Sequence, residues 1–192
     1  MAGENMERKP EILVFAGPNG SGKSTITELI EVIGEYVNAD DIQRTTGCTN
    51  MEAALLAEKR RNDLLQQKRD FTFETVLSTE RNIKLLQKAK AEGYFIKCIY
   101  VLTSNSDINV ERVASRVLSG GHDVPKEKIL CRYERAMKLI PDLIKTCDII
   151  HIYDNSQRPF RIYKNRKGRE FVWASDFWTE EQIKELVARE RC

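Results

Sequence analysis

The stretch Gly17-Pro18-Asn19-Gly20-Ser21-Gly22-Lys23-Ser24 fits the pattern G-x-x-x-x-G-K-[ST], and the apolar run Ile12-Leu13-Val14-Phe15-Ala16 stands directly before it. A buried strand, a glycine turn and a helix opening at Lys23 point several backbone N–H groups at one spot, where the helix dipole also favours negative charge. Glycines let the backbone close around phosphate, Lys23 reaches the β- and γ-phosphates, and the Ser24 hydroxyl can ligate Mg²⁺. The expected occupant is ATP or GTP with Mg²⁺.

Two acidic positions stand at predicted strand exits. Asn38-Ala39-Asp40-Asp41 follows the second strand, where a carboxylate can take the proton of a hydroxyl attacking the γ-phosphorus or hold a Mg²⁺-bound water. Asp40 is the candidate, and Asp41 reads as the cap of a helix beginning at Ile42. Glu74-Thr75 closes the third strand. Phe71 and Phe73 share one face there, so Glu74 points to the other, towards a ligand at the sheet crest or simply towards solvent.

Arg112 and Arg116 stand i, i+4 on one predicted helix, and Arg132 and Arg135 stand i, i+3 on the next. The loop Gly120-Gly121-His122-Asp123-Val124-Pro125 joins them, as in a lid that closes guanidinium groups on a triphosphate. His122 can join that site, whereas His151 falls in a predicted strand and reads as a core residue. The apolar strand at 98–102 runs into Thr103, so the aspartate that ends a Walker B strand is missing, which disfavours a water-activating ATPase.

The elements that must position these residues alternate. Helices are predicted at 24–33 (stopped by Gly34), 50–68, 80–92, 108–118 (capped by Asp107) and 125–146; strands at 12–16, 36–39, 71–74, 95–102 and 149–153. This is an α/β pattern: a P-loop NTPase with a doubly wound parallel sheet of about five strands flanked by helices, and ligands at the strand C-terminal ends. Segments 160–163 and 170–173 read as a basic hairpin around Gly168, and Thr179 with Gln182 as a capping box for a last helix. The expectation is one domain over residues 1–192, with a core at about 11–156 and the hairpin and helix appended at about 157–192.

Among 192 residues, 31 Lys and Arg balance 29 Asp and Glu. This net charge gives no argument for nucleic acid or an anionic membrane. No stretch approaches the roughly 18 apolar residues of a membrane span, and the start has no signal-like apolar run, so a soluble cytoplasmic protein is expected. The cysteines, at 48, 98, 131, 147 and 192, form no C-x-x-C pair and suggest reduced thiols.

Taken together, residues 17–25 (ending in Thr25), Asn38-Ala39-Asp40, Phe73-Glu74-Thr75, Arg116, Gly120-Gly121-His122-x-Val124-Pro125, Arg132-Tyr133 and Asp154-Asn155-Ser156 resemble the zeta toxin family of P-loop kinases, of which this would be a short member. The resemblance implies ATP or GTP with Mg²⁺ as donor and the 3′-hydroxyl of UDP-N-acetylglucosamine as acceptor. It makes Asp40 the base, places Lys23 and Ser24 on phosphate and metal, and puts Arg116 and Arg132 on the phosphates. Asn38, Glu74, Thr75 and His122 would face the sugar, and a small antitoxin would be the protein partner. Larger members carry extra segments around the sugar site, where this chain has its basic hairpin. A P-loop kinase of another small molecule, or a nucleotide-dependent switch acting on a protein, is the alternative.

Overall fold

The structure, a computed structural model, describes residues 8–120 and 123–188. In chain order its elements are β1 (Glu11–Ala16), α1 (Lys23–Thr27), β2 (Glu35–Val37), α2 (Ala39–Thr46), α3 (Asn50–Gln66), β3 (Phe71–Thr75), α4 (Arg81–Ala91), β4 (Phe95–Leu102), α5 (Ser106–Leu118), α6 (Lys126–Lys138), α7 (Ile140–Thr146), β5 (Ile149–Asp154), β6 (Phe160–Arg166), β7 (Arg169–Val172) and α8 (Glu180–Ala188). The strands make one sheet in the order β2-β3-β1-β4-β5-β6-β7. Pairings from β2 to β5 are parallel, and β6 and β7 run antiparallel. From β1 the chain first crosses to the β2 edge, fills in β3, then passes to β4 on the other side of β1. Loops leaving in opposite directions open a crevice at the C-terminal end of β1.

β1 is buried along all but its first residue, which is why its sequence is a continuous apolar run. One face of the sheet (Val14, Phe73, Tyr100, Ile152) packs against Leu86 of α4, Leu143 of α7 and Ile183 of α8. Among the described residues no helix is long and apolar enough to cross a membrane.

The structure departs from the sequence reading in several places. The helix expected to reach Ile33 ends at Thr27 and gives way to tight turns at Leu29 and Ile30. Thr72 on β3 holds Ile33 in an extended conformation, its hydroxyl donating to the Ile33 carbonyl (2.7 Å) and accepting from the Ile33 N–H (2.8 Å). Leu29, placed on the buried face by helical spacing, is 78% exposed. The helix expected over 125–146 breaks at Leu139, because Pro141 offers no N–H to continue the ladder and sits instead in the first turn of α7. Asn38 and Asn105, not Asp41 and Asp107, cap α2 and α5.

The hairpin forms around Lys167 (φ 51°) and Gly168 (φ 80°), left-handed as a two-residue hairpin turn requires. β6 pairs with β5, so the sheet continues into the hairpin. The Thr179 and Gln182 capping box forms in both directions, at 2.9 and 3.2 Å.

His151 lies on the face of β5 away from the α4, α7, α8 layer and is half-buried rather than a core residue. Partial burial, then the charges of Arg161 and Lys164, push its pKa down to about 4. An unfolded chain takes up that proton first, at about 6.5. Stability is therefore expected to fall as pH drops from about 6.5 towards about 4. Urea melts across that window should show a shallower slope for His151→Gln; an unchanged slope would contradict the assignment.

Candidate active site

The loop after β1 is shaped by how closely other elements approach it. A Cβ on Gly17 (φ 143°) would stand 2.0 Å from the Val101 carbonyl oxygen of β4, and one on Gly22 (φ 85°) would stand 2.1 Å from the Asn155 amide nitrogen. Asn109 Nδ2 on α5 donates to the Asn19 carbonyl at 2.6 Å, and Asn155 Nδ2 to the Ser21 carbonyl at 2.9 Å. Lys23 Nζ folds back onto the Gly17 and Pro18 carbonyls at 2.8 and 3.1 Å. Side chains thus hold the loop by its carbonyls, which leaves amide hydrogens for an anion in the crevice.

Burial lowers the pKa of Lys23, while the charges of Glu74 and then Asp40 raise it and that of Arg116 lowers it. One ammonium therefore feels groups from β3, α2 and α5 together. Glu74 is tightly placed: its Oε1 accepts from Tyr36 at 2.7 Å and from Thr27 Oγ1 at 3.2 Å. Burial, then the Glu74 hydrogen bond, raises the Tyr36 pKa far above its ordinary value and keeps the hydroxyl protonated. Tyr36 in turn accepts from Asn38 Nδ2 at 3.2 Å, and Asn38 Oδ1 caps the Asp40 N–H at 2.8 Å. Asp40 is exposed in the first turn of α2, whereas Asp41 pairs with Arg44 at 2.7 Å.

Thr75 Oγ1 accepts from Asn82 Nδ2 at 2.7 Å and from the Leu77 N–H at 2.9 Å. Behind it Arg61, only 7% exposed, lies 5.0 Å over the Phe73 ring and donates to Asn82 Oδ1 at 3.4 Å. On α6 Arg132 reaches Asn19 Oδ1 at 3.2 Å, and its neighbour Tyr133 donates to the Thr103 carbonyl at the end of β4, at 2.6 Å. Arg116, Arg135, Ser24 and Thr25 are exposed. His122 lies outside the described residues. Arg112 donates to the Ser156 carbonyl at 3.1 Å, and its Nη1 stays buried and unpartnered among the described residues, 3.9 Å from the Cβ position of Gly22.

Sequence reasoning missed Tyr36, Asn82 and Asn109. A polar residue flanked by apolar ones was the available signal for Asn109, which is 0% exposed on a helix whose neighbours are apolar. Tyr36 carried none, since only the pairing of β2 with β3 brings it to Glu74.

A model of the family described as "Zeta toxin" matches residues 31–168, a span that takes in Asp40, Glu74, Arg116 and Arg132 and begins after the glycine loop. An uncharacterized protein of Haemophilus influenzae is 27% identical over 127 residues, 63% of this chain and 91% of that one. Among solved structures, AvrRxo1-ORF1:-ORF2 with ATP superposes with a TM-score of 0.72 at 15% identity over 93% of this chain. The chain spans 64% of that protein. A structure from the PezAT chromosomal toxin–antitoxin system of Streptococcus pneumoniae gives a TM-score of 0.59 at 16% identity, over 99% of this chain and 83% of that one. At such identities these structures show a shared fold.

Gly17→Ala is expected to lower the melting temperature, because no side-chain motion relieves a clash with a strand carbonyl and adopting a positive φ adds about 1–2 kcal/mol of strain. A near-native melting temperature in this variant would show that the loop is not built as described.

Proposed function

The chain belongs to the zeta toxin family, and from that we propose that it is a nucleoside-triphosphate-dependent kinase acting on the 3′-hydroxyl of UDP-N-acetylglucosamine, as the toxin partner of a small antitoxin. One observation supports this most directly: the Lys23 ammonium lies within the electrostatic reach of both Glu74 and Asp40, so a phosphate-holding loop and two carboxylates share one crevice.

In this reading residues 17–25 hold ATP or GTP, with Lys23 at the γ-phosphate. The described residues contain no group of three or more His, Cys, Asp or Glu side chains that could hold a metal. The exposed Ser24 hydroxyl would be the protein's ligand to Mg²⁺, which would supply positive charge against the phosphates.

The acceptor oxygen attacks the γ-phosphorus, its proton passes to Asp40, and the bond from phosphorus to the β–γ bridging oxygen breaks to release the diphosphate. Asp40 suits the proton because it is not committed to an arginine as Asp41 is. Glu74, anchored through Oε1, keeps Oε2 for a sugar hydroxyl, with Asn38, Thr75 and His122 completing that side. Arg116 and Arg132 bring positive charge to the transferring phosphoryl from two lid helices, and Arg112 backs the loop. The Asn38 and Thr75 side chains are already bonded within the protein, which favours, as a second reading, a kinase of a different small hydroxylated molecule.

Incubation with ATP or GTP, Mg²⁺ and UDP-N-acetylglucosamine should yield, by mass spectrometry, a sugar nucleotide heavier by one phosphate. Product from another sugar alone would keep the kinase and discard this acceptor, and no product from a broad panel would discard both. Asp40→Asn is expected to lower turnover by at least ~10² while leaving nucleotide affinity within a few-fold, and Asp41→Asn to stay near wild type. Comparable turnover in Asp40→Asn would mean another group takes the proton.

A further inference from the structure

The sheet is covered unequally. From β4 to β7 the face opposite the α4, α7, α8 layer is left open: Phe95, Lys97 and Ile99 on β4 and Ile149, His151 and Tyr153 on β5 are partly exposed, while their alternating neighbours are buried. β6 and β7 extend this face with Arg161, Lys164 and Phe171, and Trp173 follows.

Rings and cations interleave there. Phe171 and Trp173 stack with centroids 6.1 Å apart at 13°, and Phe171 is 47% exposed. Arg161 lies 4.7 Å over Trp173, its Nε buried without a partner among the described residues. Lys164 stands 5.7 Å from the Phe171 ring and Lys167 6.0 Å from Phe95. Apart from Lys97, which pairs with Glu11 at 2.8 Å, these cations have no carboxylate partner among the described residues. Basic residues often protect an exposed sheet edge, which accounts for Arg169 on the edge strand. It does not account for Arg161 and Lys164, since β6 is paired on both sides.

We propose that this open face of β4 to β7 is a docking surface for single-stranded nucleic acid. Its occupant must be a polyanion, to match unpaired cations on a chain whose overall charge is only +2. It must also present flat apolar rings, to match the stacked aromatics. Ring spacing along the strand is nearly twice the rise of about 3.4 Å per nucleotide in a stacked strand. That suits bases splayed apart and laid singly on aromatic side chains, with phosphates met by Arg161, Lys164 and Lys167. The balanced composition gave no hint of this, because the imbalance is local to one face. This surface does not depend on the kinase reading, and none of its residues belongs to the crevice.

The test is fluorescence anisotropy of the full chain with a labelled oligouridine of about ten nucleotides, within the site sizes of single-strand binders. A duplex of equal length and vesicles of phosphatidylserine and phosphatidylcholine serve as comparison probes. Binding should weaken steadily as salt rises, favour the single strand over the duplex, and fall at least about five-fold in Phe171→Ala and in Lys164→Gln, with nucleotide affinity of the loop unchanged. Four results would overturn it: no binding at low salt, equal affinity for duplex, affinity indifferent to both substitutions, or vesicle binding without oligonucleotide binding.

Discussion

Gly17 passes so close to the Val101 carbonyl that the end of β1, the start of the glycine loop and the end of β4 form one packed unit. Parallel pairing of β1 with β4 sets that distance, and burial of β1 on both faces sets the pairing. The rest of the donor side follows. With the loop pinned at Gly17, Asn109 and Asn155 can tie down its carbonyls from α5 and from the end of β5, and the Lys23 ammonium folds back onto the Gly17 and Pro18 carbonyls. The loop's shape is thus imposed by long-range packing as well as by its own glycines.

The acidic side has its own chain of constraint. Glu74, Tyr36, Asn38 and the N–H of Asp40 are linked by successive hydrogen bonds that cross from β3 to β2 to the first turn of α2. The chain is half-buried from Glu74 to Asn38 and reaches solvent at Asp40, and each of its side chains from Glu74 to Asn38 has a partner. The backbone positions of Glu74 and Asp40 are therefore tied to one another through the pairing of β2 with β3.

Much of this was legible in the sequence where the determinant was local. Continuous apolar runs marked β1 and β4, the glycine pattern marked the loop, Thr179 with Gln182 marked the start of α8, and Gly168 marked the hairpin turn. What escaped depends on residues distant in the chain. α1 is cut short by a threonine on β3, a residue whose hydroxyl gives no periodic signal. The hairpin joins the sheet because β5 offers an unpaired edge, which is a property of topology and not of residues 160–172. Asp40 was preferred to Asp41 from position alone, and the structure adds that Asp41 is paired with Arg44 three residues on.

Adjacent residues on α6 grip two different parts of the molecule: Tyr133 holds the carbonyl at the end of β4, and Arg132 holds the glycine loop at Asn19. A helix tied at two adjacent positions, one to the strand end and one to the loop, keeps loop and sheet in register with each other, because the middle of α6 cannot slide along the sheet without loosening one bond or the other.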